Sequence, residues 1–312
     1  MAALPGASAM ELAAEGDPRA RSEEPAVLAT PNLIEGHDFR AIRVAPGRGA
    51  RLESGFTGFL DGAQDVRVIS HCDGIPIVWA TVSAAVRVRQ NRRLLAWQRH
   101  APVVERRYYV PLRYLDDVRQ SFRDDLRVVD TARPDASGAI PSRHPAALLE
   151  RAMQKVQQDR EALEQVLADA WCASESSALY VDGSITASAI ASASSLAVGV
   201  IKSHRTLYAD GAAFRVVVGL DAGERSSVFR VAPRTRNPVA SWYVRVRSAN
   251  GRDALFGLVR VEAALMDDPT ARADELSRWI IAEGSPLALP DGRWDKMSYG
   301  IRDTEEFLRA IS

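Results

Sequence analysis

The sequence predicts an α/β fold built on a mixed sheet, and three observations carry that prediction. Strand-like runs fall close together at Gly58–Asp61, Val66–His71 and Ile75–Arg89. A long amphipathic stretch with helical spacing follows, from Pro145 to about Trp171. Short apolar runs then resume at Leu179–Asp182 and Leu196–Lys202. Strands, a long helix and further strands in that order specify helices packed on a sheet with both parallel and antiparallel neighbours.

Taken in order, residues 1–45 read as an N-terminal tail. The first 35 are rich in Ala, Gly, Pro, Glu and Arg and lack sustained apolar periodicity, the composition of a disordered segment. Residues 46–312 read as one folded domain. Its first three strands form a meander, with Cys72-Asp73-Gly74 turning the second into the third. A helix is expected at Leu115–Asp125. Asp130–His144, which carries Pro134, Gly138 and Pro141, reads as a connection. Pro145 suits the first position of a helix, and Leu148, Leu149, Met153, Val156, Leu163, Val166 and Leu167 follow helical spacing. The Ser/Ala-rich run Ser184–Ser195 is compatible with a helix or a loose turn. Phe214–Leu220 and Ser227–Val231 read as strands. Trp242–Arg247 and Leu255–Glu262 flank Asn250-Gly251 as a hairpin with a short loop. Helices at Ala271–Glu283 and Asp303–Ile311 end the chain.

Composition sets limits. A chain of 312 residues with 46% hydrophobic and 26% charged residues has the make-up of a soluble globular protein. The formal net charge is zero, so attraction to nucleic acid must come from local patches. Cys72 and Cys172 are far apart and lack metal-type spacing, which fits a reducing cytoplasm. No apolar run is long enough for a membrane span, and the N-terminus lacks the pattern of a secretory signal. The glycine-lysine phosphate loop, the dinucleotide fingerprint and the Gly-x-Ser-x-Gly elbow are all missing, so the chain is not expected to hydrolyse ATP through a phosphate loop.

Two segments carry the strongest chemical signal: Phe59-Leu60-Asp61-Gly62 and Leu179-Tyr180-Val181-Asp182-Gly183-Ser184. In each, an apolar run ends in Asp-Gly. This places a carboxylate at the mouth of a sheet, where two such groups on neighbouring strand ends can share a divalent metal. The plainer alternative is a pair of ordinary Asp-Gly turns. A third acid is offered by Glu161 or Glu164, three residues apart on the long helix. Lys202, after the Leu196–Lys202 run, can hold a phosphate as a point charge or simply end its strand in solvent. Arg87, Arg89, Arg92 and Arg93, with Trp97 interleaved, form a basic and aromatic stretch suited to DNA phosphates and bases. A second basic stretch holds Arg234, Arg236, Arg245 and Arg247.

The element order is compatible with a ribonuclease H-like mixed sheet flanked by helices. In that fold the first strand and the strand after the first main helix lie side by side. The chain also resembles the NurA family of DNA-end-processing nucleases over roughly Gly55 to Ser312. The resemblance rests on Asp61-Gly62, the Glu-bearing helix, Asp182-Gly183-Ser184, Val198-Gly199-Val200-Ile201-Lys202, the pair Trp242–Val246 and Val259–Glu262, and a Tyr-led segment from Tyr299. It implies a ribonuclease H-like core related to PIWI domains and Mn²⁺-dependent DNA cleavage, with Mg²⁺ as an alternative. It also implies a homodimer and a partnership with a HerA-type hexameric translocase in end resection during double-strand break repair, as a 5′–3′ exonuclease, an endonuclease or both. Carried over, Asp61, Asp182 and Glu164 are the metal-binding acids, with Glu161 the alternative to Glu164. The family's C-terminal metal-bound histidine has no counterpart in Tyr299–Glu305, where Asp303 or Glu305 offers an oxygen ligand instead. Two rival expectations stand beside this one. One is a non-catalytic DNA-binding or assembly subunit; the other is a sugar- or acid-kinase-like protein, which would bind nucleotide.

Overall fold

The computed structural model describes residues 25–45, 52–115, 126–134, 138–284 and 295–312. The strands in chain order begin with β1 (Val27–Leu28), β2 (Asn32–Leu33), β3 (Ala41–Arg43) and β4 (Phe56–Cys72). They continue with β5 (Ile75–Gln90), β6 (Arg93–Ala96), β7 (Val103–Val110) and β8 (Val128–Asp130). Helix α1 (Pro145–Ser174) leads to β9 (Ala178–Val181), α2 (Ala189–Ala193), β10 (Ala197–Ile201), β11 (Thr206–Leu207) and α3 (Gly211–Val218). The chain closes with β12 (Glu224–Ser226), β13 (Phe229–Val231), β14 (Val239–Arg245), β15 (Leu258–Ala263), α4 (Thr270–Glu283) and α5 (Tyr299–Ile311). The fold is α/β with mixed, mostly antiparallel strand pairing. No helix among the described residues is long and apolar enough to cross a membrane.

The chain divides into two compact units. The first takes the described residues within Met1–Phe59, Arg89–Arg93 and Ala168–Arg302; the second takes those within Leu60–Val88, Leu94–Leu167 and Asp303–Ser312. Strands β4 and β5 and helices α1 and α5 each run from one unit into the other.

In the first unit the strand order is β2-β13-β14-β15-β10-β9-β4. β9 and β10 are parallel, with Leu179 opposite Ala197 and Val181 opposite Gly199. β10, β15, β14, β13 and β2 pair antiparallel in turn. Continuous apolar runs explain why these strands are central: Leu179, Val198, Val200, Val244 and Val261 are all fully buried. Phe56 and Phe59 of β4 set their rings against Tyr180 of β9, with centroids 5.2 and 6.1 Å apart.

Two arginines lie fully buried in this unit. Arg225 donates to both carboxylate oxygens of Glu35, at 2.6 and 2.8 Å, and to Asp274 at 2.6 Å. Burial pushes the Glu35 carboxyl up, but hydrogen bonds from Arg225 and from the Val228 N–H outweigh it and hold its pKa below the ordinary value. Arg245 donates to the carbonyls of Val217, Val218, Leu220, Ala254 and Phe256. It thereby supplies positive charge to the C-terminal carbonyls of α3.

In the second unit the order is β4-β5-β7-β8, with β6 beside β5. β5 and β7 are antiparallel from Val78–Tyr109 to Ala84–Val103, and β7 and β8 are parallel. Leu148, Leu149, Ala152, Val156 and Leu163 of α1 pack on this sheet, chiefly against Val78, Ala80, Val82, Ile77, Tyr109 and Val110. That is the apolar face expected from helical spacing. Met153 and Val166, read as members of it, point to solvent instead. Asp159 fastens the helix to β7 by accepting from Arg107 and from the Tyr109 hydroxyl, each at 2.9 Å.

Several expectations are corrected. Asp61 does not end a strand: β4 runs unbroken through Gly62 to Cys72 and absorbs the separate strand expected at Val66–His71. The reason lies in the Asp73-Gly74 turn. Both residues have positive φ, 49° and 79°, which suits a tight hairpin and lets β5 pair far along β4. Phe214–Leu220 is not a strand: Gly211–Val218 is helical and buries Ala213 and Val217, four residues apart. The three valines misled because β propensity yields to tertiary packing. Residues 27–43, assigned to a tail, form three short strands that pair with β11, β13 and β12. The β14–β15 pair exists, but residues 246–257 make its connection far longer than a tight turn. Beyond Leu115, the helix expected at Leu115–Asp125 lies outside the described residues; Leu112–Tyr114 form a 3-10 turn.

Candidate active site

Asp61 sits in the interior of β4, 8% exposed. Its Oδ1 accepts the N–H of Gly62 at 2.8 Å. Glu164, on α1, meets the same glycine. A Cβ at position 62 would displace the flexible end of the Glu164 side chain, lying 2.9 Å from its Cδ. Successive strand residues face opposite sides, so Glu164 reaches the face of β4 that carries Gly58, Gly62, Gln64 and Val66, and Asp61 points to the other face. Arg160, one helical turn before Glu164, forms an ion pair with it and reaches Gln64 of β4 at 3.3 Å. Glu161, the alternative acid, accepts from Gln157 at 2.9 Å. Of the two glutamates, Glu164 is the one placed against Gly62.

Asp182 belongs to the first unit and follows directly on β9. Gly183 turns the chain there with φ 147°, a backbone conformation that L side chains rarely adopt. Parallel pairing of β9 with β10 brings the two strands out together, so Lys202 emerges beside Asp182. Its Nζ lies 2.7 Å from Asp182 Oδ2, with Met297 Sδ 3.8 Å away. Lys296 donates to the Lys202 carbonyl at 3.0 Å. Burial lowers the pKa of the Lys296 ammonium, and the nearby Lys202 charge acts in the same direction against Asp295.

Glu262, almost fully buried on β15, was not singled out from sequence. It accepts from Ser184 Oγ at 2.8 Å, from the Ile185 N–H at 3.1 Å and from Arg260 at 2.8 Å, and so fixes the turn that carries Asp182. Its signal was there to be read: an acid within an apolar strand needs a partner, and Arg260 stands two residues away on the same face.

Most of the remaining candidates have partners within the fold. Asp303 accepts from Arg87 Nε at 2.8 Å, and Glu305 pairs with Arg309. Arg87 also donates to the Leu94 carbonyl and lies over the Phe307 ring, 4.5 Å from its centroid. Arg89 makes two bonds to Glu283, at 2.8 and 2.7 Å, and lies over Phe59. Trp97, read as a stacking surface, is only 5% exposed. Arg92 and Arg93, at the β5–β6 turn, are the two exposed members of the set. In the second basic stretch, Arg245 is buried among carbonyls, and Arg247 donates to the backbone of Asp295 and Gly284. Arg234 and Arg236 are exposed. Arginine-rich text misled here because a guanidinium with five donors serves folded carbonyls and carboxylates as well as it serves phosphates.

His204 is structural. Its Nε2 donates to the Leu258 carbonyl at 2.8 Å, and its buried Nδ1 has no hydrogen-bond partner among the described residues. Burial, aided by Lys296, lowers its pKa to about 4. The unfolded chain protonates this ring near pH 6.5, so the fold should lose stability as pH falls from about 6.5 to about 4, by roughly 2–3 kcal/mol. Urea titrations at pH 7.5, 6 and 4.5 on the wild type and His204→Gln test this. The variant should lack that share of the pH dependence, and parallel profiles would refute it.

Metal fit can be judged from the donors. Carboxylate oxygens suit a hard divalent cation, but Asp61 and Glu164 lie on opposite faces of β4, so these two do not fit one shared ion. Asp182 and Asp303 are each paired with a basic side chain. Among the described residues, no group of three or more His, Cys, Asp or Glu is gathered to hold a metal. No protein-family model matches the chain, and no curated protein matches it.

Proposed function

We propose that this protein is a metal-dependent DNA nuclease of NurA type with a ribonuclease H-like core. The observation that carries the reading is the strand order: β7-β5-β4 in one unit and β4-β9-β10 in the other follow the order such a core requires, with the long helix preceding β9. Asp61 is the metal-binding acid of β4 in this reading, and Mn²⁺ or Mg²⁺ would supply the Lewis acidity that phosphodiester hydrolysis needs. Arg160 orients Glu164. Lys202 holds Asp182 in one position and offers an ammonium to a phosphate oxygen. Action on DNA ends in the cytoplasm, a homodimer and a HerA-like translocase partner belong to the same proposal.

The test is cleavage of end-labelled single- and double-stranded DNA in Mn²⁺, Mg²⁺ or EDTA, with Asp61→Asn beside the wild type. Cleavage should fall at least about a hundredfold, while stability changes by roughly 1 kcal/mol or less. Unchanged cleavage in Asp61→Asn, or products in EDTA, would count against the site.

A second reading is a DNA-binding assembly subunit without catalysis. The ion pairs of Asp182 with Lys202 and of Asp303 with Arg87 favour it, because both acids already have cationic partners. It predicts salt-sensitive DNA binding and no products with any metal.

A further inference from the structure

The second unit contains a cavity of about 660 Å³ that none of the chemistry above uses. One wall is the end of β8 and the residues after it, with Asp130, Thr131 and Arg133. The other is the face of α1 that carries Arg151, Lys155 and Gln158. We propose that this cavity is a binding site for a nucleotide phosphate.

The charge balance points that way. Three cations face one carboxylate, and that carboxylate is occupied. Asp130 Oδ1 accepts the N–H groups of Leu112 and Ala132, at 3.2 and 3.0 Å. Its contact with Arg133 is long, 3.9 Å, and the Arg133 side chain is 82% exposed. Among the described residues Lys155 reaches only Asp159, at 3.6 Å, an acid already taken up by Arg107 and Tyr109. Arg151 is half-buried, with no ion-pair partner among the described residues. Thr131 lines the cavity as well, and Gln158 adds an amide from α1. A phosphate monoester matches the set, being a dianion with three acceptor oxygens for guanidinium, ammonium and amide donors. The volume is that of a small-molecule site and leaves room for the attached nucleoside. The phosphate can come from a free nucleotide or from the 5′ end of a DNA strand. The proposal does not rest on the nuclease reading, since it concerns binding without metal or cleavage.

Calorimetric titration of the full chain in EDTA tests it. The ligands are deoxyadenosine 5′-monophosphate, deoxyadenosine, and a short oligonucleotide with either a 5′-phosphate or a 5′-hydroxyl. The monophosphate should bind and deoxyadenosine should not. Arg151→Gln and Lys155→Gln, with helical content checked by circular dichroism, should each raise Kd about tenfold or more. A gain for the 5′-phosphorylated strand over its hydroxyl twin, lost in the same variants, identifies strand ends as the source; no such gain identifies the free nucleotide. Equal binding of nucleotide and nucleoside, or no binding of either, overturns the proposal whether or not the variants fold. Unchanged Kd in both folded variants overturns it as well.

Discussion

Asp61→Ala should leave a folded protein that no longer cuts DNA. The side chain's backbone bond is to the adjacent Gly62 N–H, so its loss should cost the fold about 1 kcal/mol. Cleavage in Mn²⁺ should fall by at least about a thousandfold, which corresponds to roughly 4 kcal/mol of transition-state stabilisation. Asp61→Asn separates the two roles of the group. It keeps the size and the acceptor for Gly62 N–H but removes the charge that a divalent cation needs, so it should be almost as inactive as alanine. Asp182→Ala is also expected to abolish cleavage, and it leaves Lys202 without its carboxylate. Wild-type rates in folded Asp61→Ala would end the nuclease proposal. Full activity in Asp61→Asn would reduce Asp61 to a hydrogen-bond acceptor that shapes β4.

What the sequence disclosed, and what it did not, follows from the range of the interactions involved. Local signals were sound. Pro145 and the spacing of Leu148, Leu149, Val156, Leu163 and Leu167 gave the long helix, and short apolar runs gave β9 and β10. The end of β9 at Asp182-Gly183 was equally clear, because glycine's backbone freedom is a local property. Features decided by distant residues were hidden. Asp61-Gly62 looks like the Asp182 turn, yet it lies inside a strand because pairing with β5 continues past it. The choice between Glu161 and Glu164 required knowing which one faces Gly62. The internal duties of Arg87, Arg89 and Trp97 depend on Asp303, Glu283 and the burial of the indole. An arginine's partner cannot be read from its neighbours in sequence when that partner lies about 200 residues away.

Distant partners also hold the first described residues, and breaking one of these contacts gives the largest expected loss of stability. Glu35 lies in a segment whose composition suggested a tail, yet it is 6% exposed and takes two bonds from a fully buried arginine. Removing one partner of a buried ion pair leaves an uncompensated charge, so Glu35→Ala should destabilise the fold by about 3–5 kcal/mol. The Val228 N–H would lose its acceptor at the same time, where β2 approaches β13. Asp274 would remain as a single partner for Arg225 and limit the damage. Replacing both residues with apolar ones, as in Glu35→Leu with Arg225→Met, should recover much of the loss, because the cost lies in the stranded charge more than in the missing attraction. Urea unfolding of the single and double variants measures both quantities. A Glu35→Ala protein within about 0.5 kcal/mol of wild type would mean that residues 25–45 are held by strand pairing alone. The expected large loss, with recovery in the double variant, would make the ion pair the anchor that fixes this segment in the first unit.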